Sequence, residues 1–371
     1  MNMTGKRILI CPLDWGLGHA TRCIPLIHQL FAEGAEVIIA ADKAPLQVLK
    51  AAFPNAQCLQ FPGLTIEYPK SGNMALYIAR MVPALWKMAQ QEHKQIEAWV
   101  KAFAIDGIIS DNRYGAYCHQ VPSVFMTHQL FIKGAKYLQW TEPMIRMLNW
   151  HMIRKFDACW VPDYAEPNNL SGALSHGASL PLPDTHYLGP LSRFHPPDDT
   201  ENQPFTEEVL VVLSGPEPQR SMLEDKIRKQ ILAGHRKALI VRGKPGASEI
   251  PNSGNLRTVS HLDSEALAQA LRTAQFIVCR AGYSTLMDLH ALGRSALIIP
   301  TPGQTEQEYL GQRCHAKGWH ISMRQEQFDL ESGLEALAKL PSCSFRLYQQ
   351  TLPLLSPIFP SEKTGKENPK I

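Results

Sequence analysis

Ten residues, Cys279-Arg280-Ala281-Gly282-Tyr283-Ser284-Thr285-Leu286-Met287-Asp288, carry the sharpest chemical signal in the chain. They lie between a β-rich apolar run and a helical pattern that ends at Gly293. Gly282 permits a tight turn, and the amides of Tyr283, Ser284 and Thr285 at the helix start make an anion site reinforced by the helix dipole. Arg280 adds a permanent charge suited to clamping a diphosphate. Asp288, one helical turn after Ser284, shares its face and can accept hydrogen bonds from ribose hydroxyls. Together these describe a nucleotide diphosphate site. The bland alternative is a helix capped by Ser284, with Asp288 as a surface acid. After the next apolar run comes Pro300-Thr301-Pro302-Gly303-Gln304-Thr305-Glu306-Gln307-Glu308-Tyr309. Its Gln304, Glu306, Gln307 and Glu308 suit the reading of sugar hydroxyls. A solvated loop whose acids favour a helix N-terminus explains the same residues.

Near the other end, Asp14-Trp15-Gly16-Leu17-Gly18-His19-Ala20-Thr21-Arg22 follows the first apolar run. Gly16 and Gly18 let backbone amides approach a diphosphate or an acceptor, with Thr21 beside them. A histidine in such a loop titrates near neutrality and can take a proton from a hydroxyl, which makes His19 the candidate general base. Asp111 stands directly after the run Gly107-Ile108-Ile109-Ser110, at the same sheet edge, where it can orient the imidazole and stabilise its protonated form. His128 ends the following run and is a weaker candidate for contacting the acceptor. A solitary histidine is more often structural, and Asp111 can equally cap the Asp111-Asn112-Arg113 turn.

The spacing of the two C-terminal segments resembles glycosyltransferase family 28, the family of the peptidoglycan N-acetylglucosaminyltransferase. Arg280 to Asp288 is similar to that family's Arg-Ser-Gly-Ala-x-Thr-x-x-Glu segment, with Asp288 in place of the ribose-binding acid. Gln307 and Glu308 fall where the family has paired glutamines that contact the donor sugar, and Glu308 departs from that pattern. Ser214-Gly215-Pro216-Glu217-Pro218-Gln219-Arg220 resembles its glycine- and serine-rich loop, and His261 occupies the place of a residue flanking the base. The N-terminal motif resembles the Gly-x-Gly-His loop of the same enzymes and of the wider UDP-glycosyltransferases. The resemblance implies the GT-B fold, a UDP-sugar donor, UDP-N-acetylglucosamine first, and inverting transfer without an essential metal or other cofactor.

These residues need a scaffold that presents strand ends. Short β-rich runs alternate with helix-length amphipathic segments in two successive series, the pattern of parallel sheets flanked by helices. The first series holds Arg7–Ile10, a helix from about Cys23 to Gly34, Val37–Ala40, a long helix around Ala75–Phe103, Gly107–Ser110, Ser123–Met126 and Asp157–Pro162. The second holds Val209–Leu213, Ala238–Val241, Phe276–Cys279 and Ala296–Ile299. The expected class is α/β: two doubly wound Rossmann-like domains facing across a cleft. The divisions are 1–190, a linker over 191–205 in the Pro, Asp and Asn stretch, a donor domain over 206–345, a C-terminal helix over 346–360 packing back on the first domain, and a disordered tail over 361–371.

Composition removes several classes. With 37 Lys and Arg against 34 Asp and Glu, a nucleic-acid partner is not indicated. The eight cysteines are scattered singly with no zinc spacing, as reduced thiols of a cytoplasmic protein would be. There is no Asp-x-Asp to hold a divalent cation. No leader pattern or roughly 20-residue apolar run is found, so neither secretion nor membrane spanning is expected. Met74–Trp86 and Tyr137–Phe156 mix aromatic, Met and basic residues, as core packing does and as peripheral contact with the inner face of the cytoplasmic membrane would require. The partners expected are therefore a nucleotide-sugar donor and a hydroxyl acceptor, lipid-linked or glycan. Three rivals stand beside this: a UDP-sugar 2-epimerase, a noncatalytic nucleotide-sugar-binding partner, and an NAD oxidoreductase. The last rests on Gly16-x-Gly18 and Asp42, with Thr21 in place of the third glycine.

Overall fold

The computed structural model describes residues 3–63, 74–134, 136–165, 168–194, 207–244, 246, 248, 250–341 and 355–360, the side chains of 74–80 and 136 excepted. The chain divides into two compact units between Leu191 and Ser192, and the described C-terminal residues Leu355–Pro360 belong to the first. Most of the linker expected over 191–205, the start of the C-terminal helix and the tail lie outside the described residues.

The first unit runs β1 (Arg7–Pro12), α1 (Leu17–Ala32), β2 (Glu36–Ala41), α2 (Lys43–Ala52), β3 (Gln57–Gln60), α3 (Met74–Ala102), β4 (Gly107–Asp111), β5 (Ser123–Met126), α4 (Glu142–Ile153), β6 (Ala158–Val161) and β7 (Thr185–Tyr187). All its strands pair in parallel, in the order β3-β2-β1-β4-β5-β6-β7. The near-continuous apolar runs of β1, β2, β4 and β5 follow from burial on both faces. Leu9, Ile38, Ile96, Val100 and Ile108 fill one side of the sheet. Helix α1 begins at Leu17, earlier than the periodicity suggested. Gly16 at φ 104° turns the chain directly into it, with no linking residues.

The second unit runs β8 (Glu207–Val212), α5 (Gln219–Ala233), β9 (Ala238–Val241), β10 (Leu256–Val259), α6 (Ser264–Thr273), β11 (Ala274–Cys279), α7 (Tyr283–Ala291), β12 (Leu297–Ile298), α8 (Thr305–Ala316), β13 (Ile321–Ser322) and α9 (Leu330–Ala338). Its parallel order, β10-β9-β8-β11-β12-β13, repeats the first unit's pattern. In both sheets the winding direction reverses beside the first strand, between β1 and β4 and between β8 and β11. A crevice opens past the strands' carboxyl ends at such a point, and ligands of doubly wound sheets bind there.

Leu355–Pro360 forms a turn, where a helix was expected. The backbone N–H groups of Leu355 and Ser356 donate to Glu33 at 2.6 and 2.8 Å, and Phe359 meets Trp160 edge-on.

His320, fully buried, accepts the Ala296 N–H at Nδ1 (3.1 Å), and burial with nearby His290 pushes it down to about 3. The unfolded histidine gains its proton near 6.5 and the folded one does not, so its contribution is full above that pH and lost as pH falls toward 3. Urea unfolding of the second unit between pH 7 and pH 5 is expected to weaken more steeply in the wild type than in His320→Asn, by up to about 1.4 kcal/mol per pH unit. Equal slopes would show that His320 is not held neutral.

Candidate functional site

At the β1/β4 reversal the sheet brings His19 and Asp111 together. Pro12 and Asp111 are register partners, and the Leu13 N–H donates to the Asp111 carbonyl at 3.0 Å. Asn112 then takes φ 61°, a left-handed conformation that asparagine tolerates, and turns the chain away. Nδ1 of His19 lies 3.2 Å from Oδ2 of Asp111. Arg22, one helical turn on and 2% exposed, grips the same carboxylate: Nε donates to Oδ2 at 2.8 Å, and Nη2 donates to Oδ1. Nη2 also lies 2.9 Å from Nδ1 of His19, and Nη1 lies 3.2 Å from Nδ1 of buried His128. Burial pushes the Asp111 carboxyl up, but Arg22 and His19 more than offset it and hold it at about 2. Burial, and then the Arg22 charge, hold the His19 imidazole below its ordinary value. At neutral pH the site therefore contains an ionised aspartate and a neutral, partly exposed imidazole.

Gly16, before α1, leaves space: an added Cβ there would meet nothing within 4 Å. Thr21 is used internally, its hydroxyl donating to the Gly18 carbonyl at 3.1 Å. Sequence alone does not single out Arg22, although its spacing from His19 puts both on one helix face. Nor does it single out Asp14, whose Oδ2 accepts the Gly63 N–H at 3.2 Å while its buried Oδ1 has no partner among the described residues.

In the second unit the candidate residues gather after β8, β11 and β12, again at the carboxyl edge. Helix α7 starts at Tyr283, and its N-cap residue, Gly282, has no side chain to cap it. Arg280, however, is a brace. Its buried guanidinium donates to the carbonyls of Ile299 (3.2 Å), Pro300 (3.4 Å) and Gln219 (2.6 Å), tying the ends of β11 and β12 to the start of α5. The Nη donors that the expected diphosphate clamp would use are engaged with these carbonyls, while the buried Nε has no partner among the described residues. Arg220 is likewise engaged, with Glu217 (3.0 Å) and the Gly243 carbonyl (2.8 Å). Ser214 makes no side-chain hydrogen bond among the described residues, and Gly215, at φ 93°, stands exposed beside it.

Asp288 is half-buried. It accepts the Ser192 hydroxyl at 2.7 Å, and burial pushes it up to about 6 against the pull of Arg193 and that hydrogen bond. Arg193 donates to the Ser264 hydroxyl at 3.1 Å, and its charge is felt by both Asp288 and His261. Burial first, then Arg193, holds His261 below its ordinary value. Ser192 and Arg193 escaped notice because they fall where the composition reads as linker.

In the loop after β12, Gln307 accepts the Thr301 N–H and Glu308 accepts the Gly303 N–H, both at 2.9 Å. These side chains hold the loop's own backbone. The buried Oγ1 of Thr301 and Oε1 of Gln304 have no partner among the described residues, and Thr301 Oγ1 faces Gly215. Glu306 stands in the first turn of α8. Among the described residues no group of three His, Cys, Asp or Glu could hold a metal ion.

Comparison with known proteins matches residues 223–351 to the glycosyltransferase family 28 C-terminal domain. A curated relative from Haemophilus ducreyi (strain 35000HP / ATCC 700724) is 26% identical over 165 residues, covering 41% of this chain and 43% of its own length. It is the UDP-N-acetylglucosamine–N-acetylmuramyl-(pentapeptide) pyrophosphoryl-undecaprenol N-acetylglucosamine transferase, and the chain thus spans less than half of the relative it matches. The spinosyn forosaminyltransferase aligns with TM-score 0.59 over 91% of both chains at 16% identity. The calicheamicin glycosyltransferase CalG4 gives 0.61 over 91% of both chains at 14%. The glycosyltransferase SnogD from Streptomyces nogalater gives 0.57 over 96% of this chain and 98% of its own at 16%. The fold is GT-B, as the resemblance implied.

A brace and a clamp fail differently. Arg280→Ala is expected to lower the urea stability of the second unit by about 3 kcal/mol, because buried carbonyls lose a charged donor. Unchanged stability with lost nucleotide affinity would restore the clamp.

Proposed function

We propose that this GT-B chain, whose second half carries a glycosyltransferase family 28 C-terminal domain, transfers a hexose or N-acetylhexosamine from a UDP-sugar to a hydroxyl acceptor with inversion. The observation that carries the donor side is the glycine-led N-terminus of α7 at the β8/β11 reversal, with the unpartnered oxygens of Thr301 and Gln304 along the same edge. Amides at a helix start suit a diphosphate, and the dipole stabilises UDP as it departs, without a required cation. Asp288, when ionised, suits the ribose hydroxyls. UDP-N-acetylglucosamine is the first donor to try, as it is the donor for which the Haemophilus ducreyi relative is named. In the first unit His19 accepts the acceptor's proton at Nε2 while the hydroxyl oxygen bonds to the anomeric carbon and the bond to UDP breaks. Asp111 steadies the imidazolium.

For the acceptor we favour a lipid-linked saccharide, the class named for that relative. No helix among the described residues is long and apolar enough to cross a membrane. Yet Trp140, Met144, Met147 and Leu148, spaced to share one side of α4 and the turn before it, are 52–77% exposed. Arg146 and Arg154 flank them, stacked on Trp150. Such a face suits the interface of an anionic bilayer.

Calorimetry without added metal, using UDP, UDP-N-acetylglucosamine, UDP-glucose, GDP-mannose and NAD, tests the donor. Micromolar UDP binding is expected, reduced about tenfold or more by Asp288→Asn. Because an ionised Asp288 accepts from ribose hydroxyls more strongly than a protonated one, UDP-sugar affinity is expected to fall as pH drops through about 6 in the wild type and to stay level in the variant. Preference for NAD, or no UDP binding, overturns the reading. Product analysis separates transfer from epimerisation.

Co-sedimentation with vesicles containing anionic phospholipid tests the acceptor side. Binding is expected, lost in Trp140→Ser/Met147→Ser and weakened by salt. Equal sedimentation of the variant, or none by the wild type, removes the membrane face.

A further inference from the structure

The His19–Asp111 pair does not stand alone, and the position of Arg22 bears on which nitrogen of His19 holds the ring's hydrogen. A guanidinium only donates, and an ionised carboxylate only accepts. Nδ1 of His19 faces one of each: Nη2 of Arg22 at 2.9 Å and Oδ2 of Asp111 at 3.2 Å. It can accept from the first or donate to the second, never both at once. Oδ2 is already served by Nε of Arg22 at 2.8 Å, with the Cys23 thiol at 3.8 Å, and Oδ1 is served by Nη2. Arg22 treats the second histidine in the same way, with Nη1 3.2 Å from Nδ1 of His128.

We infer that Arg22 is a positioning residue that fixes the resting tautomers of His19 and His128, keeping Nδ1 of both rings as an acceptor and their hydrogen on Nε2. This deepens the reading of His19 as general base and rests on it. At rest the Nε2 of His19 presents a donor. To serve as base the ring must exchange its Arg22 contact for the Asp111 contact, which moves the hydrogen to Nδ1 and frees the Nε2 lone pair. Arg22 thereby holds the base idle. Its charge also opposes formation of the imidazolium, in the direction in which His19 is displaced. The other groups facing His19 are Asp111, which acts in the opposite sense, and His128, which acts with Arg22.

The test is long-range 1H–15N correlation on the full-length protein labelled in its 14 histidines, above pH 7.5, with His19 and His128 assigned through His19→Gln and His128→Gln. In the wild type both residues are expected to show an unprotonated Nδ1 and a protonated Nε2. In Arg22→Gln the His19 pattern should reverse, with the hydrogen on Nδ1 toward Asp111. The acid limb of kcat/KM should move to higher pH, since a cation beside the imidazole is gone. A wild-type His19 with its hydrogen on Nδ1 overturns the proposal, and so does an Arg22→Gln variant with unchanged tautomer and pH profile. If Arg22→Gln does not fold, the wild-type spectrum alone decides. The base assignment fails separately, if His19→Gln retains transfer.

Discussion

The buried carboxylate of Asp111 and the guanidinium of Arg22 set the terms for the first unit. Asp111 is fully buried at the end of a central strand, where an isolated charge would be strongly disfavoured. Arg22 meets both its oxygens, and the ion pair ties the end of β4 to the first turns of α1. Removing either partner would leave an uncompensated charge between two central strands. The loop between Pro12 and Leu17, with Gly16, and the first turn of α1, with Gly18 and His19, are therefore framed by a strand end and a helix that one ion pair fixes together. The same pair also limits the chemistry. The electrostatic support that Asp111 gives an imidazolium is opposed by a cation that never deprotonates.

The two units answer one topological problem with different materials. Both sheets reverse their winding beside the first strand, and both place candidate residues at that edge. The first unit fills it with titratable side chains joined in a network. The second supplies backbone: a glycine-led helix start and a loop held by the Gln307 and Glu308 oxygens on its own amides, with Asp288, a carboxyl raised to about 6, beside them. Proton transfer needs the first kind of edge and diphosphate recognition the second.

Much of this was legible in the sequence, for physical reasons. Parallel strands buried on both faces must be continuous apolar runs, so β1, β2, β4, β5, β8, β9 and β11 announce themselves. Glycines before helix starts announce the loops. The short strands β3, β7, β10 and β13 carry no such run, because edge strands bury less. Side-chain assignments were harder, since spacing gives proximity but not what a group is already bonded to. Arg280 has the position of a phosphate ligand, yet its Nη1 and Nη2 donate to carbonyls that come from other elements, while its buried Nε has no partner among the described residues. Arg22 sits inside the motif that was read for glycine and histidine. Ser192 and Arg193 carry the composition of a linker and reach Asp288 only through the fold.

The loop after β12 shows how such hidden assignments alter a substrate argument. Gln307 and Glu308, at the positions where paired glutamines contact a sugar in the family the chain resembles, use their oxygens on the Thr301 and Gly303 amides. Either a carboxylate or a carboxamide oxygen can accept such a bond, so glutamate at 308 alters the loop's charge without dissolving its shape. On the proposed donor reading, sugar selectivity passes to the groups that the loop leaves unsatisfied. Burying Thr301 Oγ1 and Gln304 Oε1 without partners costs on the order of 1–3 kcal/mol each. A rigid loop tolerates that cost where a ligand hydroxyl recovers it, and rejects a ligand that brings no hydroxyl to the same place.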